Sequence, residues 1–438
     1  MLTAKEKRDL LMGRYEAKRQ QIDSRIAADI ECYRKGDCRI KVADGAGVSV
    51  KVSQKTHDFK FGANIFMLDE FPTEAENEKY RAFFKEMFNL ATVPFYWDGL
   101  EPEEGKRRYE KDSPRVYRRP APEKCMEYCA ENGIDTKAHC LVYDKFVPDW
   151  LVKLPLGEVE KKYEERFAEI AERYRGRMYE FEVINELLAE SDWPYKTALS
   201  GKRDILEWSF ALAKKYFPGE TLVLNETTSR IGLDTKGYRS PYFQLVENAL
   251  LKGVPVDKVG IQHHMFTGAG ASTQEEYDKA IRKHALRHDP EGILRALDII
   301  WELGVPLEIT EVTVPTFGET PEDEQLQADL MKLWYSIWFS HPGMSCIVYW
   351  NTVDKTAWIN PNAVWNENNC RGGLLHRDLT PKKSALMLKK LLWEDWRTEL
   401  TLTTDEEGYI SFRGFYGDYE AVMGDCVLSF GVHKEKKL

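Results

Sequence analysis

Apolar positions fall into three textures along this chain. Residues 3–35 are densely charged, yet Tyr15, Ile22, Ile26, Ile30 and Tyr33 recur at helical spacing. That narrow stripe predicts a surface helix with one packed face and a solvated remainder. From Cys38 to Val52 the pattern becomes short alternating runs, CRIKVADGAGVSVKV, with Asp44-Gly45 and Gly47 as turns. The same texture returns in LTLTTDEEGYISFRGFYGDYEAV near the end, broken at Glu407-Gly408 and Gly417-Asp418. Alternation bounded by glycine turns predicts strands. A lone hairpin is marginal in water, so the two strand-rich ends are expected to meet in one small β-sandwich from residues 37–56 and 397–438.

Between them lie eight apolar, β-branched runs, at 59–66, 89–97, 134–143, 179–186, 221–227, 258–265, 306–313 and 346–352. Each is separated from the next by a segment long enough for a helix, such as EVEKKYEERFAEIAERYRG. Parallel strands need crossover connections, and eight strand-helix units close the sheet on itself. The expected fold is α/β: a (β/α)8 TIM barrel over residues 57–396, a β-sandwich accessory domain from both termini, and a helical segment at 1–36.

Composition narrows the partners. Across 438 residues, 62 Lys and Arg face 72 Asp and Glu, a net charge of −10 that argues against nucleic acid. No run reaches the ~18 apolar residues of a membrane span, and MLTAKEKRDL lacks the basic-then-apolar form of a leader, so a soluble cytoplasmic protein is expected. Eight cysteines, at 32, 38, 125, 129, 140, 346, 370 and 426, form no CxxC pair and read as reduced, mostly buried thiols. Oligomeric state is not encoded in any of these patterns.

In such a barrel, reactive groups sit at the carboxyl ends of the strands. The fourth run, FEVINE, stops at Asn185-Glu186, and the seventh, LEITE, stops at Glu311. Cleaving a glycosidic bond needs such a pair of carboxyls, one to protonate the leaving oxygen and one to attack the anomeric carbon or activate water. The sixth run, VGIQHHM, and the third, KAHCLVYD, bring Gln262, His263, His264 and His139 toward the same mouth. YWNTVDKTAW places Trp350 and Trp358 around Asp354, and indole faces stack well on sugar rings. Three strand-end histidines also admit a metal-dependent barrel hydrolase. They lack acidic partners at recognisable ligand spacing, so no cofactor or metal is expected.

In order and spacing, several motifs resemble glycoside hydrolase family ten, whose commonest members are endo-1,4-β-xylanases. They are WDGLEP, AHCLVYD followed by PDW, FEVINE, LNE, VGIQHHM, ITE, YWNTVDKTAW and GGLLHRDLTPKKSAL, and the likeness covers about residues 57–393. The resemblance implies a retaining hydrolase of β-linked xylose-containing oligosaccharides that works through a covalent glycosyl-enzyme. It implies Glu186 as general acid/base, Asn185 beside it on the sugar 2-hydroxyl, and Glu311 as nucleophile. Gln262 and His264 look like the residues that touch the nucleophile and its sugar. His139, Trp350 and Trp358 resemble those lining the subsite of the cleaved sugar, and Trp97 the residue supporting its wall.

The departures are local. A Glu-Asn pair and a lysine that usually precede the strand-two tryptophan are replaced by Thr92, Val93 and Tyr96. The usual strand-three tryptophan is Tyr143, followed by Asp144 instead of histidine. Thr313 stands where an aspartate normally follows the nucleophile, which removes the acid end of a relay through His264. Tyr96 and Tyr143 therefore join the expected substrate-binding residues, and short or decorated glycosides become the expected substrates. A carbohydrate-binding protein that has lost turnover fits the same barrel. For a retaining pair the carboxyls should lie about 5 to 5.5 Å apart, with Glu311 ionising readily and Glu186 raised in pKa.

Overall fold

The computed structural model describes residues 1–192, 196–227, 231–359 and 364–434. Two strands, β1 (Lys35–Lys41) and β2 (Ser49–Gln54), precede the barrel. The barrel strands follow in chain order: β3 (Lys60–Asn64), β4 (Leu90–Pro94), β5 (Asp135–His139), β6 (Glu180–Asn185), β7 (Thr221–Glu226), β8 (Lys258–His264), β9 (Leu307–Thr313) and β10 (Met344–Tyr349). Each pairs in parallel with the next, and β10 closes on β3. The eight apolar runs are these eight strands.

Side chains alternate between the barrel axis and the helices outside it. Outward residues such as Phe181, packed on Phe217, make the apolar shell. The axis is polar. Lys137 Nζ lies 2.9 Å from Glu180, 2.9 Å from Glu182 and 3.0 Å from Glu308, while Lys258 Nζ lies 2.6 Å from Glu180 and 2.7 Å from Glu308. Burial opposes the charge on Lys137, yet the three carboxylates raise its pKa well above that of an ordinary lysine. Gly260 is needed beside this column, because a Cβ there would stand 2.7 Å from Thr310 and 2.8 Å from the Asn225 side chain.

After the barrel come β11 (Glu399–Thr403), β12 (Tyr409–Phe415), β13 (Gly417–Met423) and β14 (Cys426–Val432). β12 pairs with β1, and β2 lies between β11 and β13 in a second sheet ordered β11-β2-β13-β14. Val50, Val52, Ile410, Tyr419, Ala421 and Val432 fill the space between the two sheets. The fold is thus a (β/α)8 barrel carrying a small β-sandwich made from both termini.

The amino-terminal helix Ala4–Tyr33 starts at a Thr3/Glu6 capping box. It buries Ile22 and Ile26 of the predicted stripe, and also Leu11 and Met12, which the stripe left out. A buried Lys7–Asp323 ion pair of 2.8 Å ties it to the helix Pro321–Ser340. No helix among the described residues is long and apolar enough to cross a membrane.

We propose that residues 37–56 and 397–438 fold as one unit. Deleting residues 400–438 removes both neighbours of β2 and the partner of β1, leaving unpaired edges that recruit other chains. The expected outcome is aggregation, seen by light scattering, and a lower Tm. A truncated chain that stays monomeric with unchanged Tm contradicts the unit.

Candidate active site

The two strands that end in the paired carboxyls share an irregularity. In β6 the pairing with β7 steps from Glu182 to Ile184, leaving Val183 as an extra residue. In β9 the pairing with β8 steps from Ile309 to Glu311, leaving Thr310 as the extra one. Such bulges re-aim the residues that follow. Glu308 and Thr310 both reach the axis, and strict alternation would send Glu311 outward. The bulge turns it inward as well. Glu186, just past β6, holds a left-handed φ of 56°, a conformation uncommon for a non-glycine residue and one that clusters at functional sites.

Glu186 accepts hydrogen bonds from Tyr143 Oη at 2.6 Å and Gln262 Nε2 at 3.1 Å, and Lys145 Nζ stands 3.7 Å away. Glu311 is 4% exposed and accepts from Asn225 Nδ2 at 3.2 Å. Amides join the two carboxyls: Gln262 and Asn225 both donate to Asn185 Oδ1, at 3.2 and 2.9 Å. Asn225, which the sequence reading passed over inside the LNE motif, is the hub. Its oxygen also accepts from Thr310 at 2.6 Å.

His264 Nε2 lies 3.0 Å from Glu311, and its Nδ1 lies 3.0 Å from Thr313 Oγ1. Burial lowers the His264 pKa to about 4, so the ring is neutral at working pH. A neutral ring that donates from Nε2 to Glu311 accepts at Nδ1 from the Thr313 hydroxyl. Thr313 therefore orients the imidazole without charging it.

The expectation that Glu311 ionises readily is corrected by its surroundings. Burial raises its pKa well above the ordinary glutamate value, and Glu182 and Glu186 add to the rise, while His139 and the Asn225 amide oppose it. His139 is fully enclosed, yet Glu182 and Glu311 raise its pKa above that of an ordinary histidine. Its Nδ1 is hydrogen-bonded to Glu182, and its Nε2 lies 2.9 Å from Tyr96 Oη and 4.0 Å from Glu311. Ligand atoms of His139, Glu182 and Glu311 lie within 4.8 Å of one another, a spacing that could hold a cation. The His139 proton and the Lys137 ammonium, 2.9 Å from Glu182, supply positive charge at that point.

Phe66, Tyr96, Cys140, Tyr143 and Trp350 form an apolar cluster at the mouth, with Phe146 against it. Trp350 meets His139 and Phe66 edge-on, with centroids 5.2 Å apart in each case. Trp358 is 39% exposed and lies edge-on to Phe146. Asp354, between the two tryptophans, is a structural acid that pairs with Lys382 at 2.6 Å. Trp97 lies behind the mouth, its Nε1 bonded to Glu101 at 3.0 Å and its ring against Tyr163 and Trp150. His263 departs from the expectation: alternation along β8 turns it outward, between Trp334 and Trp338, beside a cavity of about 220 Å³. The three histidines therefore do not converge.

Comparison with known proteins agrees with this geometry. The family model "Glycosyl hydrolase family 10" matches residues 53–386. Endo-1,4-beta-xylanase 1 of Arabidopsis thaliana is 25% identical over 407 residues, covering 89% of this chain and 36% of that protein. Anti-sigma-I factor RsgI6 of Acetivibrio thermocellus is 24% identical, covering 89% of this chain and 45% of its own length. The chain thus spans less than half the length of either relative. Among solved structures, native xylanase 10B from Thermotoga maritima superposes with a TM-score of 0.58 at 21% identity, over 77% of this chain and 96% of that one. Xylanase 10B from Thermotoga petrophila, in complex with xylobiose, gives 0.59 at 20% identity, over 77% and 95%. With the family's model matched across the barrel and the paired carboxyls at its mouth, the chain belongs to glycosyl hydrolase family 10.

Proposed function

We propose that this chain is a retaining β-glycosidase acting on β-linked xylose-containing oligosaccharides or related short, decorated glycosides. The observation that supports this most directly is the amide lattice of Gln262, Asn185 and Asn225, which fixes Glu186 and Glu311 on one mouth. Glu311 attacks the anomeric carbon while Glu186 gives its proton to the departing oxygen. Glu186 then takes a proton from water as that water displaces Glu311 from the sugar. Asn185 spends its amide oxygen on the lattice, and its nitrogen makes no bond among the described residues, which leaves a donor for a sugar hydroxyl.

Upstream, Thr92, Val93 and Tyr96 stand where the resemblance implies polar groups for a long neutral chain. The Thr92 hydroxyl is buried without a hydrogen-bond partner among the described residues, and Tyr96 fills the space with a ring whose oxygen is committed to His139. Remote sugar contacts help distort the reacting sugar, so their loss favours short substrates. Carbohydrate binding without turnover on the same barrel is the second reading. The two carboxyls in one lattice favour turnover. A cytoplasmic location is part of the proposal, supported by eight unpaired cysteines, five of them buried.

Glu311→Ala is expected to lower kcat on an aryl β-xyloside by a factor on the order of 10⁴ to 10⁶. Azide should restore cleavage with inverted product, read by NMR of the released sugar. Intact activity, or activity abolished by a chelator and restored by zinc, removes Glu311 from this role.

Because Glu311 must be ionised, kcat/KM is expected to fall on the acid side with a midpoint above 4.5. His139 favours the carboxylate, so His139→Asn raises the Glu311 pKa and moves that limb to higher pH. A pH profile whose acid limb stays put or moves down contradicts the coupling.

The ratio of kcat/KM for xylohexaose to that for xylobiose is expected to stay near one. A steep rise with chain length, with rapid viscosity loss on polymeric xylan, means that the upstream subsites still bind.

A further inference from the structure

Beside Tyr96, two consecutive arginines are buried: Arg118 is 2% exposed and Arg119 is 8% exposed. Neither takes part in an ion pair among the described residues. Arg118, held at a left-handed φ of 60°, donates to the Thr356 carbonyl and, at 2.5 Å, to Asn351 Oδ1. Asn351 donates a hydrogen bond from its own amide to Glu367, so that acid offsets part of the Arg118 charge. The Nε of Arg118 is buried with no hydrogen-bond partner among the described residues.

Arg119 lacks even that support. The hydrogen bond it donates among the described residues runs from Nη1 to the Arg118 carbonyl at 3.1 Å. Asp98 feels its charge without reaching ion-pair distance. Its guanidinium lies 3.9 Å over the Tyr96 ring, with the rings of Phe146 and Phe66 at 5.4 and 5.8 Å. Tyr96 Oη touches His139, which stands beside Glu311. One tyrosine ring therefore separates this cation from the reaction centre. A face stacked on an aromatic ring stabilises a guanidinium and leaves its N–H edge free. A buried cation without a counter-ion is costly, and the planar edge of a guanidinium matches a carboxylate through two parallel bonds.

We propose that Arg119, backed by Arg118, forms a carboxylate-binding subsite at the upstream end of the cleft and selects substrates that carry a uronic acid. The inference rests on the glycosidase reading and narrows it. The carboxylate comes either from a β-linked uronate ring in the cleaved unit or from a uronyl branch on a xylose chain.

Two matched pairs separate these sources: an aryl β-glucuronide against the aryl β-glucoside, and glucuronylated xylotriose against xylotriose. The acidic member of one pair is expected to show a kcat/KM higher by about ten- to a hundredfold, the range for a charge-assisted bond. Arg119→Gln should erase that preference while changing the neutral member by less than about threefold, and Arg119→Lys should keep part of it. Equal losses on both members, or no preference in the wild-type protein, overturn the subsite in favour of a structural stack on Tyr96. Circular dichroism and Tm confirm that each variant is folded. Calorimetry on Glu311→Ala protein, with and without Arg119→Gln, gives a readout independent of turnover. Uronate-dependent binding that needs Arg119, in a protein that cleaves none of the four compounds, sinks the glycosidase reading and keeps the subsite. Equal binding of acidic and neutral members sinks the subsite.

Discussion

Lys137 is the point on which the charges of the barrel turn. It is fully buried, and water supplies none of the compensation that a surface lysine enjoys. Three glutamates provide it instead, and one of them, Glu182, also holds His139. The ammonium and the imidazolium both hold Glu182 below an ordinary glutamate, against the effect of burial. An ionised Glu182 keeps His139 charged, and a charged His139 favours an ionised Glu311. The Glu311 carboxyl is thus tuned by a lysine two side chains away. Removing one partner of such a column leaves a buried charge uncompensated, which costs about 3 to 5 kcal/mol. The same column that fills the barrel therefore also sets the proton affinity at its mouth.

Most of the architecture was legible because eight apolar runs of strand length leave few alternatives, and the residues closing those runs marked the mouth. Parity was not legible. A period of two predicts which side chains face inward only while the ladder is regular, and both strands that present the paired carboxyls carry an extra residue just before them. The same reasoning explains His263: adjacent residues on a regular strand face opposite ways, so a pair of neighbouring histidines offers one ligand to the axis and one to the shell. Asn225 closed its strand as visibly as Glu186 did, but an amide carries no charge to single it out. Glu182 and Lys137 looked like ordinary charged residues until the barrel closed around them.

The state of Glu311 was misread for a related reason. A nucleophile must be ionised, and the role implied by the resemblance carries that property with it. Burial acts in the opposite direction, so ionisation is held by His139 and by hydrogen bonds from Asn225 and His264. Thr313 contributes by removing a charge. An aspartate at that place would favour a protonated His264, whereas a hydroxyl leaves the ring neutral.

The interleaving of the termini has a consequence for the order of assembly. β1 and β2 leave the ribosome early, but their partners β12, β11 and β13 are made only after the whole barrel. During synthesis the first strands wait with open ladders while the barrel condenses between them and their mates. In effect the barrel is an insertion between two strands of a smaller protein. Its own compactness brings the distant chain ends together, so the entropy of closing that long excursion is met by the barrel's folding and not by the few contacts of the sandwich. The small sheet acts as a clasp that closes only after the barrel and the strands that follow it have been made.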